Sequence, residues 1–572
     1  MVITAESKGR QRASARSLTT VVDFAVGSHA RAVVVLLAVA LLGFLPGFSS
    51  IPPVDRDEAR FAQATKQMVE SGDYVDIRFQ DEVRYKKPVG VYWVQAAVVK
   101  AASALGFPDA LTTIWLYRVP SLIGSTAAVL LTYWAALAFV SRRAAVLAGL
   151  MMASCVLLGI ERLLAKTDAL LLMTVVAAMG AMGRAYLWRE RRDTGRAWTL
   201  AAIFWTALGA GVLLKGPLVV MVVGLAALAL VLVDRSAGWL LTLKPLAGSV
   251  WFALLVLPWF LAIVGRSGDA FFAESVGGDL LSKVFAGQES HGAPPGYYFA
   301  LFWVSFWPGA TLAALATPAV WQARREAAVK FLLAWLVPSW LVLELIVTKL
   351  PHYVLPLYPA VAILIAGVID ARGLSRKSAL EWGTIWWFIV PVVAGVAGIV
   401  ALAVIGRQFG LLVWPVVGAA AVLGFFAWRL YQADGAELAL LRGVAAAILT
   451  AIAIFGLVVP SLGQLFPSPT LARILRESGC TQPQAAAVGY QEPSVVFLAG
   501  TATRLVDVAG AAEFLRGGEC RFVFIEASQE RSFSQRAEAI GLRYWAGPRV
   551  DAINISTGRP ITIAVFHSAG SS

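Results

Sequence analysis

Charge is scarce in this sequence. Only 15% of its 572 residues are Asp, Glu, Lys or Arg, whereas 59% are hydrophobic and 20 are tryptophan; the mean hydropathy is +0.72. A water-soluble fold of this length needs no such composition, which excludes a purely soluble protein. Acidic residues are the scarcer kind, 35 against 48 Lys and Arg, for a formal charge of +13. That excess does not point to nucleic acid, because the Lys and Arg gather in short connections between apolar runs, where they orient helices and meet anionic head groups. Cysteine is nearly absent, at three residues. Cys155 falls inside an apolar run and reads as packing; Cys480 and Cys520 fall in a polar stretch where a disulfide and two separate buried thiols fit equally well. The first apolar run, Ala32 to Phe48, lacks a clear small-residue cleavage site and therefore reads as an uncleaved span.

Apolar runs of roughly 17 to 25 residues, long enough to cross a bilayer core, recur along most of the chain. They place spans near 32–50, 112–139, 144–160, 169–188, 198–214, 217–233, 246–264, 297–321, 329–347, 353–369, 380–405, 409–430 and 443–460. The fold class is an all-α polytopic membrane protein of about 13 transmembrane helices with a small C-terminal α/β domain. The expected organisation is a basic cytoplasmic N-terminus (1–31), a transmembrane domain (32–465) with a long outer loop at 51–111, and a periplasmic α/β domain (466–572). In the last, AAAVGY (485–490), SVVFLAG (494–500), CRFVFIEA (520–527) and ITIAVFH (561–567) read as strands. In the outer loop, FAQATKQMVESGDYV has the spacing of an amphipathic helix lying on the bilayer, closed by Gly72. VGVYWVQAAVVKAASALG (89–106) is short and carries Lys100, so it reads as a surface or re-entrant helix.

Alternate loops are almost purely basic: Arg142 and Arg143, Arg189 to Arg196, Arg235 and Lys244, Arg324 to Lys330, Arg372 to Lys377. They mark the cytoplasmic side. The opposite loops hold mixed polar clusters: DRDEAR (55–60), RYKKP (84–88), ERLLAKTD (161–168), LLKGP (213–217), the 265–296 loop and TKLPHY (348–353). Charges at span edges are costly unless solvated or paired, so six clusters on one side predict a shared polar cavity there.

The order Asp-Glu-x-Arg, Glu-Ser-Gly-Asp, Tyr-x-Lys-Pro followed by Tyr-Trp, Thr-Asp, Lys-Gly-Pro and Lys-Leu-Pro-x-Tyr-x-x-Pro resembles the GT-C superfamily of lipid-linked-sugar glycosyltransferases. The match is to the bacterial aminoarabinose (lipid A) transferase and protein O-mannosyltransferase branch, over roughly residues 30 to 370. The resemblance implies a multi-pass enzyme of the bacterial inner membrane that moves a monosaccharide from a polyprenyl-phosphate carrier to an envelope acceptor, a lipid A-like glycolipid or a protein, on the periplasmic face.

Residue by residue, the resemblance makes Asp57 the general base and Asp168 the second acidic residue of the catalytic pair. Glu58 and Arg60 shape the surroundings of Asp57, and Asp55 has no counterpart and reads as loop solvation. Tyr85, Lys86 and Lys87 match a Tyr/Lys-Pro motif in which relatives carry an acid before the Lys. Lys86 replaces that acid, which weakens a metal site and strengthens phosphate binding, since two adjacent ammonium groups repel unless an anion lies between them. Lys215, Lys349 and Tyr353 fall near the carrier phosphate, and Asp279, Lys283 and His291 stand where relatives have a His and an Arg. No metal ligand set is assigned, and the resemblance makes no cofactor certain while leaving a divalent metal open. The implied partners are the lipid-linked sugar, a glycolipid or protein acceptor and membrane lipids, with no nucleic acid. A transporter is the competing reading, but transporters bind near the midplane of internal repeats, and this chain has no repeat and keeps its charges at one edge.

Overall fold

A computed structural model describes residues 18–187, 194–281, 292–555 and 557–568. Lys283 and His291 lie outside the described residues, as does the Arg189–Arg192 part of one basic loop, and only the backbone of Asp279 is described, within the π-helix Ala273–Leu281.

The expected spans coincide with helices. Among the described residues, eight are long and apolar enough to cross a membrane by themselves, Ile114–Ala136 and Asp168–Leu187 among them, and His29–Phe44, Leu218–Asp234 and Val413–Arg429 are shorter apolar helices. The 144–160 span is broken into Arg142–Ala153 and Val156–Glu161. The 297–321 span is not straight: Tyr297–Ser305 and Gly309–Gln322 meet at 112°. Pro308 at the corner offers no amide to an α-helical ladder, so the chain turns there. One continuous core holds the bundle together, with Trp307, Trp335 and Trp387 fully buried in it.

The long loop folds as two helices, Asp57–Ser71 and Gly90–Ala104, around a hairpin of β1 (Arg78–Phe79) and β2 (Glu82–Val83). Gly72 closes the first helix at φ +73°, a left-handed geometry that suits glycine. This helix does not lie on the bilayer. Phe61, Ala64 and Met68 face one apolar cluster, while Gln63, Thr65 and Lys66 are also buried. Those polar residues are buried because they find partners on both sides: Thr65 donates to Gln95 at 2.7 Å, Lys66 to the Phe497 carbonyl at 3.0 Å and Gln63 to Thr501 at 2.9 Å. The helix is clamped between the bundle and the C-terminal domain.

That domain carries β3 (Gln484–Val488), β4 (Arg504–Leu505), β5 (Arg521–Glu526), β6 (Tyr544–Ile553) and β7 (Pro560–Ser568) in the order 4-3-5-7-6. β3 pairs parallel with β4 and β5, which requires crossover helices. Alternation along β3 and β5 explains the two faces: Ala485, Ala487, Phe522 and Phe524 pack under Leu471 and Val496, while Ala486, Val488, Val523 and Ile525 pack under Ala511, Phe514 and Phe533. SVVFLAG is one of the crossovers, the helix Pro493–Ala499, and not a strand. Pro493 at its first turn favours a helix start, and Val495, Val496 and Phe497 are all buried, which an alternating strand face would not give. Cys480 and Cys520 form a disulfide. Cys155 is buried in the bundle, as expected for a packing residue.

Candidate active site

At one end of the bundle the Asp57–Ser71 helix begins beside the connection 162–167. Two acids open this helix, where the positive end of its dipole favours them, but they face different surroundings. Glu58 points inward and is buried. Its Oε1 accepts from Arg118 Nε at 2.8 Å and from the Ala165 amide at 2.9 Å; its Oε2 accepts from Arg118 Nη2 at 2.8 Å and from the Val54 amide at 2.8 Å. Arg118 also donates to the carbonyls of Phe48, Ile51 and Pro52. Glu58 therefore ties the loop, a span and the 162–167 connection into one unit, with no oxygen left for substrate. Asp57, one residue earlier, is exposed, and its charge acts on Lys166 and Tyr92.

Lys166 belongs to a second buried cluster. Its Nζ lies 3.2 Å from Glu161 Oε2 and 3.6 Å from Asp168 Oδ2. Lys215 pairs with Asp168 Oδ1, and His352 reaches Glu161 at 3.8 Å through Nδ1 and Asp168 at 3.6 Å through Nε2. Asp168 is the first residue of its helix and Lys215 the last of another, so both helix dipoles favour the charges placed there. Burial opposes the charge on Lys166, but Glu161, Asp168 and Asp57 around it hold its ammonium above the usual lysine range. The Lys87 charge acts on His352, and Tyr353 lies under Lys215, 5.3 Å from its Nζ.

Asp57, Lys87, Asp168, Lys215 and Tyr353 thus converge. Other candidates go elsewhere. Lys349 is buried and donates to the carbonyls of Glu344 at 2.8 Å and Ile346 at 2.6 Å, closing the end of the Ala327–Leu345 helix instead of facing the cluster. Tyr85 donates to Asp76 at 3.0 Å within the loop. Arg60, on the Asp57–Ser71 helix, and Lys86, next to Lys87, are half-buried. Asp55 is not solvated: it accepts from the Ser494 amide at 3.0 Å and from the Tyr490 hydroxyl at 3.2 Å, and burial pushes its carboxyl up to about 6. Sequence reasoning passed over Glu161, Lys166 and His352. The first two stand in the same ERLLAKTD stretch as Asp168, and His352 directly precedes Tyr353, so the signal was a third and fourth charge in motifs already singled out.

Glu161, Asp168 and His352 offer ligand atoms within 4.8 Å of one another. Lys166 already stands between these carboxylates, and Lys215 pairs with Asp168. A divalent ion would have to displace buried ammonium groups that balance the two negative charges, so this donor set fits an ion-pair network better than a metal.

Residues 54–267 match the dolichyl-phosphate-mannose-protein mannosyltransferase family. The undecaprenyl phosphate-alpha-4-amino-4-deoxy-L-arabinose arabinosyl transferase of Erwinia tasmaniensis is 29% identical over 414 residues, 68% of this chain and 71% of that protein. Its counterpart in Pseudomonas aeruginosa is 31% identical over 323 residues, 55% of each chain. The crystal structure of ArnT from Cupriavidus metallidurans bound to undecaprenyl phosphate superposes with a TM-score of 0.70 at 19% identity, covering 93% of this chain and 97% of that one. The apo form of the same protein gives 0.71. Motif order, apolar spans and these likenesses agree that the chain is a multi-pass membrane glycosyltransferase of the GT-C type, similar to the aminoarabinose transferases.

Proposed function

We propose that this enzyme transfers a monosaccharide from a polyprenyl phosphate to a lipid A-like glycolipid on the periplasmic face of the inner membrane, with the N-terminus cytoplasmic and the C-terminal domain periplasmic. The observation that carries the reading is the exposed Asp57 carboxylate within electrostatic reach of the buried cluster of Lys166 and Lys215 with Glu161 and Asp168. The chemistry requires both parts. An acceptor hydroxyl gives its proton to Asp57 and its oxygen bonds to the anomeric carbon. The bond from that carbon to the carrier's phosphate oxygen breaks, and the electron pair leaves with the lipid phosphate. Cations aimed at that oxygen stabilise the charge that develops on it, a role that fits Lys87 and Lys215. Asp168 orients Lys215, and Glu161 and His352 hold Lys166 in place.

The positive-inside distribution of Lys and Arg supports the orientation, and the disulfide supports an oxidising compartment for the C-terminal domain. Relatives that act on an undecaprenyl-phosphate sugar support the donor class. The test is transfer of radiolabelled sugar from polyprenyl phosphate by purified wild type and Asp57→Asn. Loss of transfer with unchanged donor binding is the expected result; undiminished transfer removes Asp57 as the base.

A further inference from the structure

The end of the bundle and the C-terminal domain enclose a crevice of about 490 Å³, a volume in the range of small-ligand sites. One wall comes from the bundle. It carries Arg407, in the turn that joins the helices Trp386–Val404 and Val413–Arg429, and Gln464, just beyond the helix Val459–Ser461 that ends the last span. The other wall is the sheet edge, where Glu526 ends β5, Ser528 follows it, and Asp551 of β6 stands opposite Thr562 of β7. All six residues line the one cavity, and none belongs to the Asp57 centre.

Three of these residues are charged, and they do not neutralise one another. Each carboxylate is held by a hydroxyl: Glu526 Oε1 accepts from Ser528 at 3.2 Å and Asp551 Oδ1 from Thr562 at 2.7 Å. Among the described residues, no ion pair joins either acid to a base, and Arg407 pairs with no acid. The crevice therefore keeps a positive pole on one wall and a negative pole on the other, complementary to a guest that carries both charges. Gly489 leaves room for Glu526: at φ +81°, a Cβ there would stand 2.7 Å from the Glu526 Cβ. In the same turn as Arg407, Phe409, Leu411 and Leu412 are 85%, 82% and 73% exposed. Large apolar side chains so exposed at the end of a membrane bundle belong in the apolar layer, which puts the guanidinium beside them at head-group depth.

We propose that this crevice binds the head of a zwitterionic aminophospholipid, with its phosphate on Arg407 and its primary ammonium between Glu526 and Asp551. A guanidinium fork suits phosphate oxygens, and carboxylates accept the N–H bonds of an ammonium. Gln464, on the same wall as Arg407, adds an amide donor for the phosphate. Phosphatidylethanolamine has this chemistry, and a molecule held there ties the C-terminal domain to the end of the bundle. Nothing in this assignment depends on which sugar or acceptor the enzyme uses.

The test is native mass spectrometry of the full-length enzyme in detergent with equimolar phosphatidylethanolamine, phosphatidylglycerol and phosphatidylcholine of the same acyl chains. Wild type is expected to retain phosphatidylethanolamine at least about ten-fold over phosphatidylglycerol, as expected for a charge-assisted contact, because phosphatidylglycerol offers the phosphate without the ammonium. Phosphatidylcholine, whose quaternary ammonium has no N–H to donate, should also rank below phosphatidylethanolamine. Glu526→Gln combined with Asp551→Asn should erase the preference over phosphatidylglycerol, whereas Arg407→Gln should weaken the two lipids alike. The altered side chains are exposed or half-buried, so the variants should melt like wild type; if the double variant melts early, Glu526→Gln alone, which keeps the bond between Asp551 and Thr562, carries the test. Excess glycerophosphoethanolamine distinguishes the sources. Failure to displace the lipid supports a membrane ligand; displacement at matched concentration, lost in Glu526→Gln, supports the zwitterion site but assigns it to a soluble head group. Wild type that retains phosphatidylglycerol or phosphatidylcholine as well as phosphatidylethanolamine, or acid variants that keep the full preference, overturn the proposal.

Discussion

Two buried ionic clusters meet at the same end of the bundle, and they are built to opposite specifications. Around Glu58 and Arg118 the carboxylate oxygens each take two hydrogen bonds and the guanidinium is shared with three backbone carbonyls. Around Asp168 the charges are balanced but loosely held: His352 stands 3.6 and 3.8 Å from its acids, and Glu161 Oε2 has an ammonium at 3.2 Å but no hydrogen-bond partner among the described residues. Full satisfaction locks geometry; partial satisfaction leaves capacity for a ligand. The first cluster is expected to answer for stability and the second for turnover.

Separate measurements of rate and stability can break that division. The largest effect is expected from Asp57→Asn, which should lower sugar transfer about 10²- to 10⁴-fold while leaving the melting temperature unchanged, because the Asp57 carboxylate is exposed. Arg118→Met should do the reverse. Stranding Glu58 as an unpaired buried charge costs about 3–5 kcal/mol, read as early melting or loss of folded protein. If Arg118→Met melts like wild type, the Glu58 network is not the lock described here. Reduction of Cys480–Cys520, or Cys480→Ser, should cost about 2–4 kcal/mol and be read in the melting of the C-terminal domain. Lys215→Met sharpens the comparison further: Asp168 keeps Lys166 and His352, so stability should fall less than in Arg118→Met, while transfer falls at least ten-fold, in line with a charge-assisted contact worth about 1.5–3 kcal/mol.

The smallest effect concerns Asp55, where the C-terminal domain meets the loop that carries Asp57. Its carboxyl is raised to about 6 by burial, with Glu492 adding to the rise. A carboxyl raised on folding favours the protonated native form, so its contribution is fully present below the ordinary carboxylate range and is lost as pH rises through about 6. Wild type should therefore lose stability between about pH 4 and 6, and Asp55→Asn should flatten that slope. An unchanged slope in the variant removes Asp55 as its source.

The Asp57–Ser71 helix shows what periodicity can and cannot reveal. Its apolar spacing and Gly72 cap were legible, since both are local. Its burial was not, because Gln63, Thr65 and Lys66 look solvent-exposed until Thr501, Gln95 and Phe497 arrive from elsewhere in the chain. Lys349 misled in the same way: its motif suggested a ligand contact, but its ammonium closes the carbonyl end of the preceding helix, a partner three to six residues away that the motif does not reveal.

The sequence alone determined that the chain crosses a membrane many times, which side of the bundle is basic, where the polar clusters fall and that one of them opens with the Asp57 acid. These follow from segment length, apolar content and charge order, which are properties of short stretches. Only the tertiary structure decided that Glu58 is locked while Asp57 is open, that Glu161, Lys166 and His352 join Asp168, and that Arg407 shares a crevice with Glu526 and Asp551. A buried charge takes its role from whatever sits within a few ångströms of it, and here those neighbours come from far along the chain, 191 positions away in the case of Glu161 and His352.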